Sequence, residues 1–129
     1  MLRYRYNRQV SPPAPFIHIE CEHPLGSSER LTLPALLDTG ADLSTIPPES
    51  IEHLGLVQLD EIPVASYRGE TMLAPSYLIR LDVGSWQMGV IEVIASGEEY
   101  AILGPDVLNQ FRIVLDGPSA IVELRKDDE

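Results

Sequence analysis

The chain has 129 residues, 44% apolar and 22% charged, with a formal net charge of −11; this fits one compact domain and leaves little room for a second core. So acidic a surface repels phosphate backbones and anionic headgroups, which excludes nucleic acid and membrane surfaces as favoured partners and leaves neutral or basic peptides as better ones. The single cysteine, Cys21, excludes an intrachain disulfide and suits a reducing compartment.

Residues 1–15 begin with alternation, Leu2, Tyr4 and Tyr6 against Arg3 and Arg5, and pass into Ser11-Pro12-Pro13-Ala14-Pro15. They read as an extended arm and a stiff connector. No apolar run in them resembles a signal peptide, and none in the chain approaches the roughly 20 apolar residues of a membrane span. The expectation is a cytoplasmic protein, although a chain cut from a longer precursor would read the same.

Phe16–Glu22 alternates, with Ile17, Ile19 and Cys21 on one face and His18, Glu20 and Glu22 on the other, as a half-buried strand does. Residues 24–29 form a hairpin loop, and 31–37 a returning strand ending in an apolar run. After Asp38-Thr39-Gly40-Ala41-Asp42, extended structure resumes over 43–46. Pro47-Pro48-Glu49-Ser50 opens a short helix, with proline and an acid in its first turn, and Gly55 closes it. Residues 62–67 and 71–81 form a hairpin with a glycine tip at Arg68-Gly69-Glu70, and Pro75 makes its second arm an edge strand. Val83-Gly84-Ser85 is a turn and 88–94 a buried strand.

Ala101-Ile102-Leu103 is wholly apolar, as a central strand would be. Gly104-Pro105-Asp106 starts a one- to two-turn helix through Asn109. Strands at 111–115 and 120–124 are split by Asp116-Gly117-Pro118. With 9 glycines and 11 prolines among short apolar runs, the reading is an all-β domain with two short helices. Its divisions are an arm over 1–15, a domain over 16–125 and a charged tail over 126–129.

Asp38 is the unusual residue. It follows five residues, Leu33 to Leu37, without a polar side chain, so a carboxylate is delivered to the end of an apolar strand. A buried carboxylate costs several kcal/mol unless it is protonated or hydrogen-bonded. Thr39 offers a hydroxyl, and Gly40 lets backbone amides approach. On these residues alone, a strand-end aspartate bonded to its own turn is as good a reading as a catalytic one.

The surroundings carry a resemblance. Leu36-Leu37-Asp38-Thr39-Gly40-Ala41-Asp42 resembles the active-site motif of retroviral-type aspartic proteases, the retropepsin family. Ile102-Leu103-Gly104, running into Asp106-Val107-Leu108, is similar to the family's second motif, about sixty residues downstream. Between them Arg68-Gly69-Glu70 falls where the family has a glycine-tipped flap. The resemblance implies an all-β, closed β-barrel-like acid protease fold with one or two short helices. It implies an aspartic endopeptidase acting on a peptide or protein, without cofactor or metal. The implied catalytic set is Asp38, Thr39 and Gly40; the implied substrate-binding set is Ala41, Asp42, Arg68, Gly69, Glu70, Ile102, Leu103 and Gly104. Leu36, Ile46, Met72, Val90 and Ile102 are candidates for pocket walls, each equally explicable as core.

The number of motifs bears on assembly. Two carboxylates must share a proton, one acting as base on a water while the other donates to the scissile carbonyl. One copy of the motif is present, so the resemblance implies a two-fold homodimer that pairs Asp38 with Asp38 of a second chain. The family commonly has arginine after the apolar-apolar-glycine triplet, paired with the second aspartate of the motif; here that place is Pro105. Arg112 or an arginine of the arm is the candidate replacement partner for Asp42, and dimer strength is the property this departure affects. Residues 2–6 and 120–124 alternate suitably for a dimer sheet.

The alternative is a non-catalytic dimeric module of the same fold that holds an extended peptide; more distant is a β-barrel adaptor in which Asp38-Thr39-Gly40 is only a turn. His18, Glu20, Glu22 and His23 could be read as metal ligands, but alternation already explains the first three as a solvent face. His53 reads as a solvent-facing helix residue, Cys21 as an inert buried thiol, and Ser44 as no activated nucleophile.

Overall fold

Alternating sequence becomes alternating burial in the computed structural model, which describes residues 1–26, 29–65 and 68–126. The elements run β1 (Leu2–Arg5), β2 (Phe16–Glu22), β3 (Arg30–Leu37), β4 (Thr45–Ile46), α1 (Pro48–Leu54), β5 (Gln58–Ala65), β6 (Thr71–Val83), β7 (Trp86–Ala95), β8 (Ala101–Leu103), α2 (Pro105–Leu108), β9 (Arg112–Asp116) and β10 (Ile121–Arg125). On β2 the inward set is Ile17, Ile19 and Cys21, each at most 1% exposed, while His18 and Glu20 face water.

The larger sheet has the order β2-β3-β8-β4-β7-β6-β5, and a second pairing of β2 with β6 closes its first six strands into a barrel. Closure removes the sheet edges that would otherwise seek partners. β5 stays outside the ring. It pairs with residues 71–77 of β6, whereas β7 takes over from Ser76 onward. The hairpin therefore projects from the barrel, and Pro75 sits where β6 has β5 on one side only, the edge position proline requires.

A smaller sheet, β1-β10-β9, packs against the barrel. Its Val122 and Leu124 are fully buried in one cluster with Ile19, Leu81, Leu103 and Val107. Each such side chain contributes roughly 1.5–3 kcal/mol by leaving water. Gly84 shows how the arm reaches this core. Its φ is +59°, and an added Cβ would lie 2.8 Å from Leu2 Cδ1, so both the turn and the approach of β1 call for glycine.

Helix α1 begins at Pro48 with Glu49 in its first turn, and ends at Gly55 in the left-handed region, whose N–H together with that of Leu56 satisfies the last carbonyls. Two expectations need correction. Within 88–94 only Val93 and Ile94 are buried, and within 33–37 only Ala35. A barrel wall has an outer face, so even apolar runs in it alternate between core and water. The loop at 24–29 and the hairpin tip each fall partly outside the described residues, at 27–28 and 66–67. Among the described residues no helix is long and apolar enough to cross a membrane.

Candidate active site

Asp38 follows directly on β3, in the middle of the sheet, because Leu36 and Leu37 are paired in parallel with Ile102 and Leu103 of β8. Its N–H donates to the Leu103 carbonyl at 2.9 Å, and the Leu37 N–H donates to the Pro15 carbonyl at 3.1 Å. The chain then turns sharply. The Ala41 N–H donates to the Asp38 carbonyl at 3.2 Å, and the Gly40 N–H donates to Asp38 Oδ1 at 3.0 Å. This is the amide-to-carboxylate contact the sequence anticipates, and it comes from Gly40. An added Cβ on Gly40 would sit 3.3 Å from the same oxygen, tighter than side chains ordinarily pack.

The carboxylate environment differs from the buried one inferred from the apolar run. Asp38 is half-buried, and Thr39 and Gly40 are exposed. In a single chain the turn lies open on one side, which leaves the carboxylate accessible.

A second layer fixes this turn from behind. Gly104 faces the Ala41 backbone so closely that an added Cβ would fall 2.9 Å from the Ala41 carbonyl oxygen. Ser44 is 1% exposed; its hydroxyl donates to Asp106 Oδ1 at 2.7 Å and accepts from the Gly104 N–H at 3.0 Å, while its own N–H donates to Asp106 Oδ2 at 3.2 Å. Asp106 also accepts from the Val107 N–H, in the first turn of α2. The motif loop, β8 and α2 are thus tied together through charge-assisted bonds, the stronger kind. Sequence reasoning placed Asp106 in the second motif and read Ser44 only as no activated nucleophile, and it missed the contact between them. The available signal was one small polar residue following the first motif and one within the second.

Over the loop lies a cleft of about 360 Å³, lined by Asp42, Leu43, Thr45 and Ile94 on one side and Ile62, Pro63, Val64 and Ala65 of β5 on the other. The Thr45 hydroxyl is buried and, among the described residues, has no hydrogen-bond partner. None of the five suggested wall residues lines this cleft: Ile46 is buried in the core, while Met72 and Val90 are 64% and 46% exposed. Which side of the hairpin faces the loop depends on its twist, and alternation cannot supply that.

The structure brings 38–42 and 102–104 together. Arg68, Gly69 and Glu70 stand exposed at the hairpin tip, joined to the cleft through β5. A further cleft, of about 320 Å³ between β3 and α1, contains no residue of either motif. Arg3, one candidate partner for Asp42, is engaged by Glu123 at 2.6 Å. Burial pushes the Cys21 thiol up to about 12, with the Asp82 charge adding to it, so the thiol is neutral and unreactive at ordinary pH.

A single aspartate loop braced by an apolar-apolar-glycine strand, beneath a projecting hairpin, agrees with the family comparison. The model described as "gag-polyprotein putative aspartyl protease" matches residues 28–110. The chain belongs to this family. Among solved structures, a retropepsin-like aspartic protease from Rickettsia conorii superposes with a TM-score of 0.65 at 16% identity, over 95% of this chain and 88% of that one. The simian foamy virus protease gives 0.55 at 20% identity, over 74% and 92%. The EIAV protease, solved with the inhibitor HBY-793, gives 0.53 at 20% identity, over 77% and 88%. These likenesses establish the retropepsin-like fold. No match to this chain is found among curated protein sequences.

Proposed function

We propose that the protein is an aspartic endopeptidase, hydrolysing a peptide bond with a water activated between two Asp38 carboxylates, one from each chain of a homodimer. The observation that carries this is the accessible Asp38 carboxylate. It is held by Gly40 and backed by Leu103 and Gly104, yet it is one carboxylate where the chemistry needs two.

In this reading one carboxylate takes a proton from the water as it attacks the carbonyl, and the other, protonated, donates to the carbonyl oxygen. The tetrahedral intermediate then collapses as a proton passes to the leaving nitrogen. The reaction requires the two carboxylates to hold one proton between them. Gly40, Ala41, Asp42 and the Leu103–Gly104 backbone hold the extended peptide from below, and Thr39 braces one chain's loop against the other. The hairpin from Ile62 to its tip at Arg68-Gly69-Glu70 adds a strand from above and excludes water. The apolar cleft walls favour an apolar side chain beside the scissile bond. The acidic surface supports a neutral or basic peptide substrate, in the cytoplasm, with neither nucleic acid nor membrane as partner.

Incubation with a peptide library, with and without a statine-type transition-state mimic, tests the assignment. Asp38→Asn is expected to lower cleavage at least about 10³-fold with the fold intact by circular dichroism. An Asp38→Ala protein that still cuts would sink the proposal. Binding of peptides without cleavage by the wild type would favour the non-catalytic module instead.

A further inference from the structure

We infer that the chain binds a compact dianion, bearing two carboxylates or a phosphate, in a cleft between the amino-terminal arm and the β9–β10 turn, gripped by Arg5 and Arg8. The site is separate from the proposed active site and does not depend on the protease reading.

The first observation is a census of cations. In a chain with 20 acidic and 9 basic side chains, a lysine or arginine has an excess of carboxylates to pair with. Arg3 pairs with Glu123, and Arg30 with Glu20 and Asp82. Arg80 donates to the Pro24 carbonyl and Arg125 to Met1 Sδ, while Lys126 lies over the Phe111 ring. Arg68 and Arg112 have partners as well. Among the described residues, Arg5 and Arg8 are the two cations that have none, and both are exposed.

These two arginines line one cleft of about 430 Å³, together with Tyr6, Ser119, Ala120 and Ile121. A second cleft, of about 470 Å³, continues it past Pro13 and Pro118 and shares Tyr6, Arg8 and Ala120. No carboxylate lines either of them. Elsewhere the clefts are acidic: the one over the Asp38 loop holds Asp42, the one between β3 and α1 holds Glu49 and Glu99, and one beside Arg30 holds Glu22 and Asp82. Asp116, at the start of the β9–β10 turn, already accepts from the Ser119 N–H at 3.0 Å.

The walls are fixed before a ligand arrives. Arg5 lies opposite Ile121 in the small sheet, and the Tyr6 N–H donates to the Ala120 carbonyl at 2.8 Å. Asn7 and Ala14 exchange both of their backbone bonds, which closes the arm on itself just beyond Arg8. Ala120 has φ +55°, a left-handed conformation that side-chain-bearing residues rarely adopt, and its N–H donates to the Gly117 carbonyl at 3.0 Å.

The lining defines the ligand. Two guanidinium forks match two negative charges carried on oxygen, each fork offering two parallel donors. The Ser119 hydroxyl is available to a further oxygen. The half-buried Tyr6 ring, Ala120 and Ile121 give an organic body a surface to lie on, and the volume is that of a small-molecule site. An extended polyanion fits poorly, because the net charge of −11 repels whatever reaches beyond the cleft.

Calorimetric titration of the full chain at low salt, with inorganic phosphate and separately with succinate, tests the site. Saturable one-to-one binding is expected. Tighter binding of phosphate assigns a phosphate ester as the natural ligand, and tighter binding of succinate a dicarboxylate. Arg5→Ala and Arg8→Ala should each weaken binding about tenfold, and the double variant should abolish saturation. Ser119→Glu, which places a carboxylate in the cleft, should weaken it to a similar extent. Arg3→Ala removes the same charge from a guanidinium that is paired with Glu123 and lines neither cleft, so binding should stay within about twofold.

No saturable binding of either anion, binding that survives loss of both arginines, or equal weakening by Arg3→Ala overturns the inference. Any of these in a chain that cleaves peptide leaves the protease reading standing, since Asp38 lines neither cleft. Saturable, Arg5- and Arg8-dependent binding in a chain without peptidase activity upholds the anion site by itself.

Discussion

Two parts of the molecule face each other across the cleft, and they are built on opposite terms. Below, the Asp38 loop is held by a backbone bond to Leu103, an intraloop bond from Gly40, and the Ser44–Asp106–Gly104 network, in which Ser44 and Gly104 are buried and Asp106 is exposed. Above, β5 and the first half of β6 form a two-stranded extension in which Leu59, Met72 and Leu73 are all more than half exposed. Hydrogen bonds that cross-brace three segments through a buried serine and glycine open only with much of the fold, whereas a hairpin supported on one side opens locally at small cost. The difference matches the demands of the proposed reaction: a nucleophile-activating carboxylate must be positioned closely, and an extended peptide must be admitted and then covered.

The contrast can be broken most forcefully at Gly104. Gly104→Ala places a methyl group 2.9 Å from a backbone oxygen that cannot rotate away. It is expected to destabilise by about 1–3 kcal/mol and to depress kcat, as measured by chemical denaturation and peptide cleavage. Asp106→Ala leaves the Ser44 hydroxyl and amide without their acceptor and should cost about 1–3 kcal/mol, with Asp106→Asn recovering part of it. If either variant leaves stability and kcat unchanged, the floor is not the rigid element described. On the roof, Leu73→Ala should move stability by less than about 0.5 kcal/mol, and any loss should appear in KM; a large drop in stability would show that the hairpin is packed as firmly as the floor.

A separate effect is confined to alkaline pH. The folded Cys21 thiol titrates near 12 against 9.0 for the ordinary group. Between these values the unfolded chain has lost a proton that the folded chain keeps, so stability is full below pH 9 and declines as pH rises, by up to about 1.4 kcal/mol per pH unit. Cys21→Val should flatten that decline in denaturation curves recorded above pH 9 without altering cleavage at acidic pH.

Local chemistry made much of the fold legible. β2 has the limits its alternation gives, Gly55 ends α1 in the left-handed region, and Gly40 supplies the amide that a strand-end aspartate needs. Reading failed where two remote segments decide a residue's role. Ser44 and Asp106 are 62 positions apart, and neither looks like part of a network until β4 and α2 meet. The cleft walls at Ile62–Ala65 were missed for the same reason. The apolar run before Asp38 overstated its burial, because composition cannot tell the inner face of a barrel wall from the outer one.

The sequence by itself determined the chemistry available: one aspartate in a glycine turn and a second motif about sixty residues on, which in the proposed reading is half a site per chain. Only the tertiary structure decided how that turn is held. The reason is that strand character and turn conformation are set by neighbouring residues, whereas ring closure between β2 and β6 and the bracing of Asp38 by β8 and α2 arise from packing between segments far apart in the chain.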